Sequence, residues 1–214
     1  MTNHEDPAAF WEDRYTTTRG DHGTVWSGRV NATVESQVSE LDPGTALDLG
    51  CGEGGDAIWL AAVGWTVTAV DISATALAVG AATAGSRGLS DRIDWVQTDL
   101  ATWRPSAEFD LVTAAFLHSP VELPREQILR RAATAVAPGG RLLVVGHGAF
   151  PPGSSHADHA DAPPLPSSDE VLASLSLPDG WTVESNEHID RVAVGRDGAE
   201  VTLVDTVLRV RRDR

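Results

Sequence analysis

From about residue 45 the chain alternates short apolar runs with amphipathic stretches bounded by glycine, proline or a capping residue. Ala46 to Leu49 reads as a buried strand, followed by a glycine-rich turn and a helix from about Gly55 to Val63 that stops at Gly64. Trp65 to Val70 is the second strand and ends on Asp71; Ser73 then caps an alanine-rich helix reaching about Gly85. Ile93 to Gln97 is the third strand and Phe109 to Phe116 the fourth. Glu122 to Val136 is a helix stopped by Pro138-Gly139-Gly140, and Arg141 to Gly146 is the fifth strand. Strands separated by helices require crossovers, and hence a parallel sheet covered on both faces.

The ends of the chain depart from this rhythm. Asp6-Pro7 predicts a helix start, with Phe10, Trp11, Arg14 and Tyr15 at helical spacing; Asn31 caps a second helix reaching about Glu40. Pro151 to Ser168, rich in Pro, Ser, Ala and His, reads as a mobile loop before a helix at Ser168 to Leu175 and a sixth strand from Trp181. Only a few residues around Gly195-Arg196-Asp197-Gly198 separate Val192-Ala193-Val194 from Val201 to Val210. That gap is too short for a parallel crossover, so these strands form an antiparallel hairpin. One α/β domain over residues 1–214 is expected, with a helical segment at 1–40 and the core at 41–214.

Composition narrows the partners. Among 214 residues there are 31 acidic and 16 basic ones, all of the latter arginine, for a net charge of −15. Such a field disfavours nucleic acid and anionic membranes, and no apolar run is long enough to cross a bilayer. A single cysteine, Cys51, excludes an intramolecular disulfide or a cysteine-built zinc site. The polar first 20 residues lack a signal-peptide pattern, so a cytoplasmic protein is expected, as monomer or homodimer.

The candidate chemistry centres on Leu47-Asp48-Leu49-Gly50-Cys51-Gly52-Glu53-Gly54-Gly55 at a strand-to-helix turn. Glycines allow close approach of the main chain to a ligand, and a helix start offers free N–H groups. Asp71, at the end of the next strand, is placed to accept both hydroxyls of a ribose. Cys51, at a helix start, is expected to have a lowered thiol pKa, though a packing role suits it better than that of a nucleophile. His118 and His147, just past strands four and five, are the candidates for proton transfer from an acceptor. His156-x-x-His159 with Asp158 and Asp161 imitates a metal site, but its loop offers no scaffold, and no metal is expected.

These motifs in this order resemble the class I S-adenosylmethionine-dependent methyltransferases: Asp48-x-Gly50-x-Gly52-x-Gly54, Asp71, Thr98-Asp99-Leu100, Phe109-Asp110-Leu111-Val112, Pro138-Gly139-Gly140 and the closing hairpin. Phe10-Trp11-Glu12-Asp13-Arg14-Tyr15 is similar to small bacterial enzymes of the tellurite and thiopurine methyltransferase group. The resemblance implies a doubly wound sheet of order 3-2-1-4-5-7-6 and S-adenosylmethionine as methyl donor, released as S-adenosylhomocysteine. It implies that Gly50, Cys51, Gly52 and Gly54 pass beside the methionine part, with Asp48 towards its ammonium. Asp71 would take the ribose and Ile72 would pack on the adenine. Asp99 and the Leu100 amide would bond the adenine, and Ala115 and Phe116 would approach the methionine end. Trp11, Arg14 and Trp26 are lid candidates, Arg14 either for the cofactor carboxylate or for an ion pair with Glu12 or Asp13. A small-molecule acceptor is expected. A nicotinamide-dependent oxidoreductase and a non-catalytic cofactor-binding module remain as alternatives.

Overall fold

In the computed structural model, which describes residues 6–17, 24–149, 165–194 and 200–214, thirteen main elements follow in order. They are α1 (Pro7–Thr17), α2 (Ala32–Val38), β1 (Thr45–Leu49), α3 (Gly55–Ala62), β2 (Thr66–Asp71), α4 (Ala74–Ser86), β3 (Ile93–Gln97), β4 (Phe109–Ala115), α5 (Arg125–Thr134), β5 (Val136–Ala149), α6 (Ser168–Leu175), β6 (Trp181–Val194) and β7 (Glu200–Arg212). The caps are where the sequence puts them. The Asn31 side chain accepts from the Thr33 and Val34 amides and the Ser73 hydroxyl from the Ala76 amide; a further cap, not read from the sequence, is the capping box of Ser167 with Glu170.

The seven strands form one sheet of order β3-β2-β1-β4-β5-β7-β6, parallel except for β7, which pairs antiparallel with both neighbours. This is the predicted topology. Each face carries its own apolar core. On one side Leu47, Leu49, Val112 and Val144 meet Ile128, Leu129 and Ala132 of α5 and Val171 and Leu175 of α6. On the other, Ala46, Val67, Leu111, Leu143 and Val145 meet Val34 and Val38 of α2 and Ala57, Ile58, Leu60 and Ala61 of α3. A central parallel strand buried on both faces has to be apolar at successive positions, which explains the continuous runs read in the sequence.

Several boundaries differ from the expected ones. Helix α5 stops at Thr134, and Val136 opens β5 opposite Phe109, so Pro138-Gly139-Gly140 lies inside a bulged strand rather than beyond a helix. A side chain on Gly140 would press on the carbonyls of Ala137, Asp110 and Phe109, and a bulge is one of the few places a strand tolerates proline. Strand β5 also continues past Gly146 to Ala149, because β7 supplies partners that far. His147 therefore sits within the strand, opposite Asp205, and not just past it. The hairpin register runs to Val194 opposite Glu200, while its turn and the histidine-rich motif at 156–161 fall outside the described residues. Among the described residues no helix is long and apolar enough to cross a membrane.

Candidate active site

The glycine turn is built by β1 and stitched to β2: the Gly50 and Cys51 amides both donate to the Val70 carbonyl, at 2.8 and 3.0 Å. Gly52 and Gly54 adopt φ values of +54° and +77°, a region that a Cβ makes costly. Gly54 has a second reason to lack a side chain. The indole of Trp95, on β3, is wedged between Gly54 and Gly80 of α4, occupying the space that a Cβ at either would need. Helix α3 starts directly after Gly54 with no side-chain cap, leaving its first N–H groups to a ligand or water.

Four carboxylates ring this turn. Asp48 is buried and accepts from the Thr113 hydroxyl at 2.7 Å. Asp71 accepts the Gly52 amide at 2.8 Å with one oxygen and the Ser73 amide at 2.9 Å with the other. Asp56 accepts from the Asn31 amide at 2.7 Å, and both oxygens of Glu53 take the Val25 amide at 3.0 Å. Burial raises the carboxyls of Asp48, Asp56 and Asp71 above their usual range, and for Asp48 the neighbouring Asp56 and Asp71 charges add to the effect. Cys51 responds the same way: burial, then the Asp71 and Asp48 charges, push its thiol up. The helix start expected to lower it is outweighed, and Cys51 packs against the core on that face.

The N-terminal segment folds back over the turn. Glu12 of α1 accepts from the Ser73 hydroxyl at 2.7 Å and from the Thr75 hydroxyl and amide, so α1 hangs on the start of α4 beside Asp71. At its other contact the Trp11 indole donates to the Ser119 hydroxyl at 3.3 Å, beyond β4. Tyr15 is buried, and its hydroxyl accepts from the Trp26 indole at 2.9 Å while lying 2.8 Å from where a Gly52 Cβ would stand. Arg14 stacks instead of pairing with Glu12 or Asp13. Its guanidinium lies 5.9 Å from the Trp11 ring and 5.8 Å from the Trp26 ring, with a buried Nε that has no hydrogen-bond partner among the described residues.

Along the same edge of the sheet, Asp99 accepts the Ala101 amide at 2.8 Å, closing a turn after β3. Leu100 is buried in the core below, and Ile72, half-buried, follows Asp71. Ala115 ends β4. Phe116 follows with φ of +51°, rare for a non-glycine residue, and its carbonyl accepts the His118 amide at 2.7 Å. Its ring contacts His147 at 4.5 Å, and His147 stacks on His118 at 5.7 Å. Burial, with the charge of Arg125 and then His147 adding, lowers the His118 imidazole to about 4. The structure thus gathers Trp11, Arg14, Trp26, Gly52 and Asp71 at one place and Phe116, His118 and His147 at another, both at the carboxyl ends of parallel strands.

A family model for a methyltransferase domain matches residues 46–140, the segment that carries the glycine turn, Asp71 and Asp99. With the relatives below, this match supports reading the chain as a class I S-adenosylmethionine-dependent methyltransferase. As such it transfers a methyl group from S-adenosylmethionine, and the nicotinamide and non-catalytic alternatives lapse. Thiocyanate methyltransferase 1 of Arabidopsis thaliana is 29% identical over 181 residues, covering 81% of this chain and 77% of that protein. Among solved structures, one described for the conversion of a disulfide bond into a thioacetal group during echinomycin biosynthesis superposes with a TM-score of 0.69 at 25% identity, covering 97% of this chain and 91% of the other. The N-methyltransferase NodS of Bradyrhizobium japonicum, solved with S-adenosylhomocysteine, shares the fold with a TM-score of 0.66 at 17% identity, covering 98% of this chain and 100% of that one.

Sequence reasoning passed over Glu53, Tyr15 as the group resting on Gly52, and Trp95. Each works through a partner remote in sequence. The signal for Trp95 was available: an indole on the strand next to two glycines that its bulk requires.

Proposed function

We propose that this methyltransferase acts on a small-molecule acceptor, and that its methyl donor lies along the edge running from Asp99 past Asp71 and the glycine turn to Phe116. The observation that carries this reading is the arrangement of Asp71, Gly52 and the α1–Trp26 strap as one hydrogen-bonded unit. The residues fit the donor chemically: buried carboxylates suit a cationic ligand, and a buried arginine Nε without a partner suits its carboxylate.

When bound, the cofactor supplies an electrophilic methyl group on a sulfonium. Asp48 holds the ammonium in this reading, with Gly50, Cys51, Gly52 and Gly54 lining the methionine part and Arg14 taking the carboxylate. Asp71 turns its remaining lone pairs to the ribose; Ile72, Asp99 and the Leu100 amide enclose the adenine. Trp11 and Trp26 exclude water from above, and Ala115 and Phe116 close the methionine end. His118 and His147 line the acceptor side. Because a base of pKa about 4 takes a proton poorly at neutral pH, His118 serves as a contact and not as a general base. Rate then comes chiefly from alignment of acceptor and methyl.

Calorimetry tests the reading: S-adenosylhomocysteine should bind in the micromolar range or tighter, about −8 kcal/mol, while NADH gives no heat. A panel of small acceptors scored by mass spectrometry for S-adenosylhomocysteine release then finds the substrate. Tight NADH binding, or no binding of S-adenosylhomocysteine, overturns it.

A further inference from the structure

The acceptor side holds a group of polar residues that the cofactor reading does not use. Asp205 of β7 is fully buried and accepts two bonds from Arg191 of β6, at 2.8 Å from Nε and 3.2 Å from Nη2. The same carboxylate accepts from the Thr33 hydroxyl at 2.7 Å, at the start of α2. The guanidinium so fixed lies 5.8 Å from the Phe116 ring, which in turn contacts His147. A buried carboxylate that grips one edge of a guanidinium fixes its plane and leaves the other edge to point elsewhere.

Two further features lie along this edge. The His118 Nε2 is buried and has no hydrogen-bond partner among the described residues. A Cβ on Gly146 would lie 2.9 Å from the Thr206 hydroxyl and 3.4 Å from that Nε2, so both polar atoms converge on a place kept open by a glycine. On the other side of the Phe116–His118 turn, Arg125 donates to the Leu117 carbonyl at 3.0 Å. Arg191, paired with Asp205, and Arg125, with the Glu126 charge beside it, therefore border this turn, in a chain whose net charge is −15. A guanidinium edge left unengaged inside a negative overall field favours a small anion that reaches the pocket over a polyanion steered from afar.

Resting on the methyl-transfer reading, we propose that Arg191 is a specificity-determining residue and that the acceptor is a small anion whose nucleophilic atom needs no deprotonation. Asp205 and Thr33 are positioning residues that act through Arg191. The chemistry balances without a base. The acceptor's lone pair forms the bond to the methyl carbon, the carbon–sulfur bond of the sulfonium breaks, and its electron pair stays on sulfur as a neutral thioether. The acceptor loses its negative charge, and no proton is released. A weakly basic His118 is then no handicap, because its task is to contact the anion.

The test uses the protein saturated with S-adenosylhomocysteine and titrates thiocyanate, benzoate and neutral phenol, following the imidazole NMR signals of His118 and His147. The anions should shift both signals saturably and phenol should not. Arg191→Gln should weaken anion binding by about tenfold or more while S-adenosylhomocysteine affinity is unchanged. Since Arg191→Gln alone strands the Asp205 carboxylate, Arg191→Gln with Asp205→Asn is the companion variant, and whichever folds decides. No shift with either anion, equal shifts with phenol, or anion binding undiminished in the folded variant overturns the proposal. Failure of S-adenosylhomocysteine itself to bind strikes the underlying reading instead.

Discussion

The hydroxyl of Tyr15 rests on Gly52, 2.8 Å from the point where a Cβ would stand, so the N-terminal helix and the glycine turn are in direct contact. Gly52→Ala therefore meets two penalties: a left-handed φ of +54°, costing about 1–2 kcal/mol for an L side chain, and displacement of the phenol. We expect a lower melting temperature together with weaker S-adenosylhomocysteine binding, read by thermal denaturation and calorimetry. A variant with wild-type melting and binding would show that Tyr15 yields at no cost.

Asp71 is engaged on both oxygens by amides of Gly52 and Ser73. Asp71→Ala removes the proposed ribose acceptor and leaves those amides without their partner. The expected loss is about 1–3 kcal/mol, or about 10- to 100-fold in cofactor affinity, with the fold retained. Calorimetry with circular dichroism on the same sample checks it. Unchanged affinity in a folded variant means the ribose is held elsewhere.

The buried acids make stability depend on pH in an unusual direction. Asp48 and Asp56 have native values raised by burial, so above about pH 4 the unfolded chain has released protons that the native state still holds. Up to those raised values stability falls as pH rises, by as much as about 1.4 kcal/mol per pH unit for each such proton. His118 acts oppositely: lowered to about 4, it is neutral in the native state where the unfolded imidazole is still charged, so its contribution grows towards the unfolded value near 6.5. The informative quantity is thus a difference. In urea titrations Asp48→Asn should gain stability relative to wild type as pH rises from about 5 to about 7. With Asp48 at the ammonium, as proposed, cofactor binding favours its ionised form and should release protons in the same interval, seen as buffer-dependent heats. A pH-independent difference and no proton release would remove Asp48 from the ammonium site.

Glu12 behaves in the ordinary sense. Its hydrogen bond from the Thr75 hydroxyl leads the effects that lower its carboxyl, so the attachment of α1 is complete above the unfolded value and fades as pH falls through the native one. Protection of the α1 amides, taken relative to intrinsic exchange at the same pH, should fall in Glu12→Ala at neutral pH, and in the wild type under acid. S-adenosylhomocysteine should slow exchange across residues 8–30 more than across 192–210, as closure over a ligand requires. Equal protection of both regions would make the segment a packing element only.

The fold was legible because its signals are local. Apolar runs, caps at Asn31 and Ser73, and the short gap before Val201 determine strands, helices and the antiparallel β7. What was missed depends on pairing. His147 appeared to lie past its strand because nothing in the run Arg141–Gly146 announces that β7 will extend it to Ala149. The Arg191–Asp205 pair joins two long strands whose register, with Ile189 opposite Asp205, periodicity does not fix. Cys51 was read from its place at a helix start, whereas its thiol answers to burial and to carboxylates contributed by Asp48 and Asp71.

The wedge of Trp95 between Gly54 and Gly80 has a consequence for how this sequence can change. Gly80 lies inside α4, where glycine weakens a helix by about 1 kcal/mol relative to alanine; taken alone it looks like a position to improve. The ring forbids that improvement, since the methyl group added by Gly80→Ala would press on the indole and on the Glu53 carbonyl, and through them on the glycine turn. Positions 80 and 95 are therefore constrained together, while Gly54 is held by its backbone as well. A smaller residue at 95 would free the space beside both glycines, and a helix-stabilising change at 80 is tolerated only in its company.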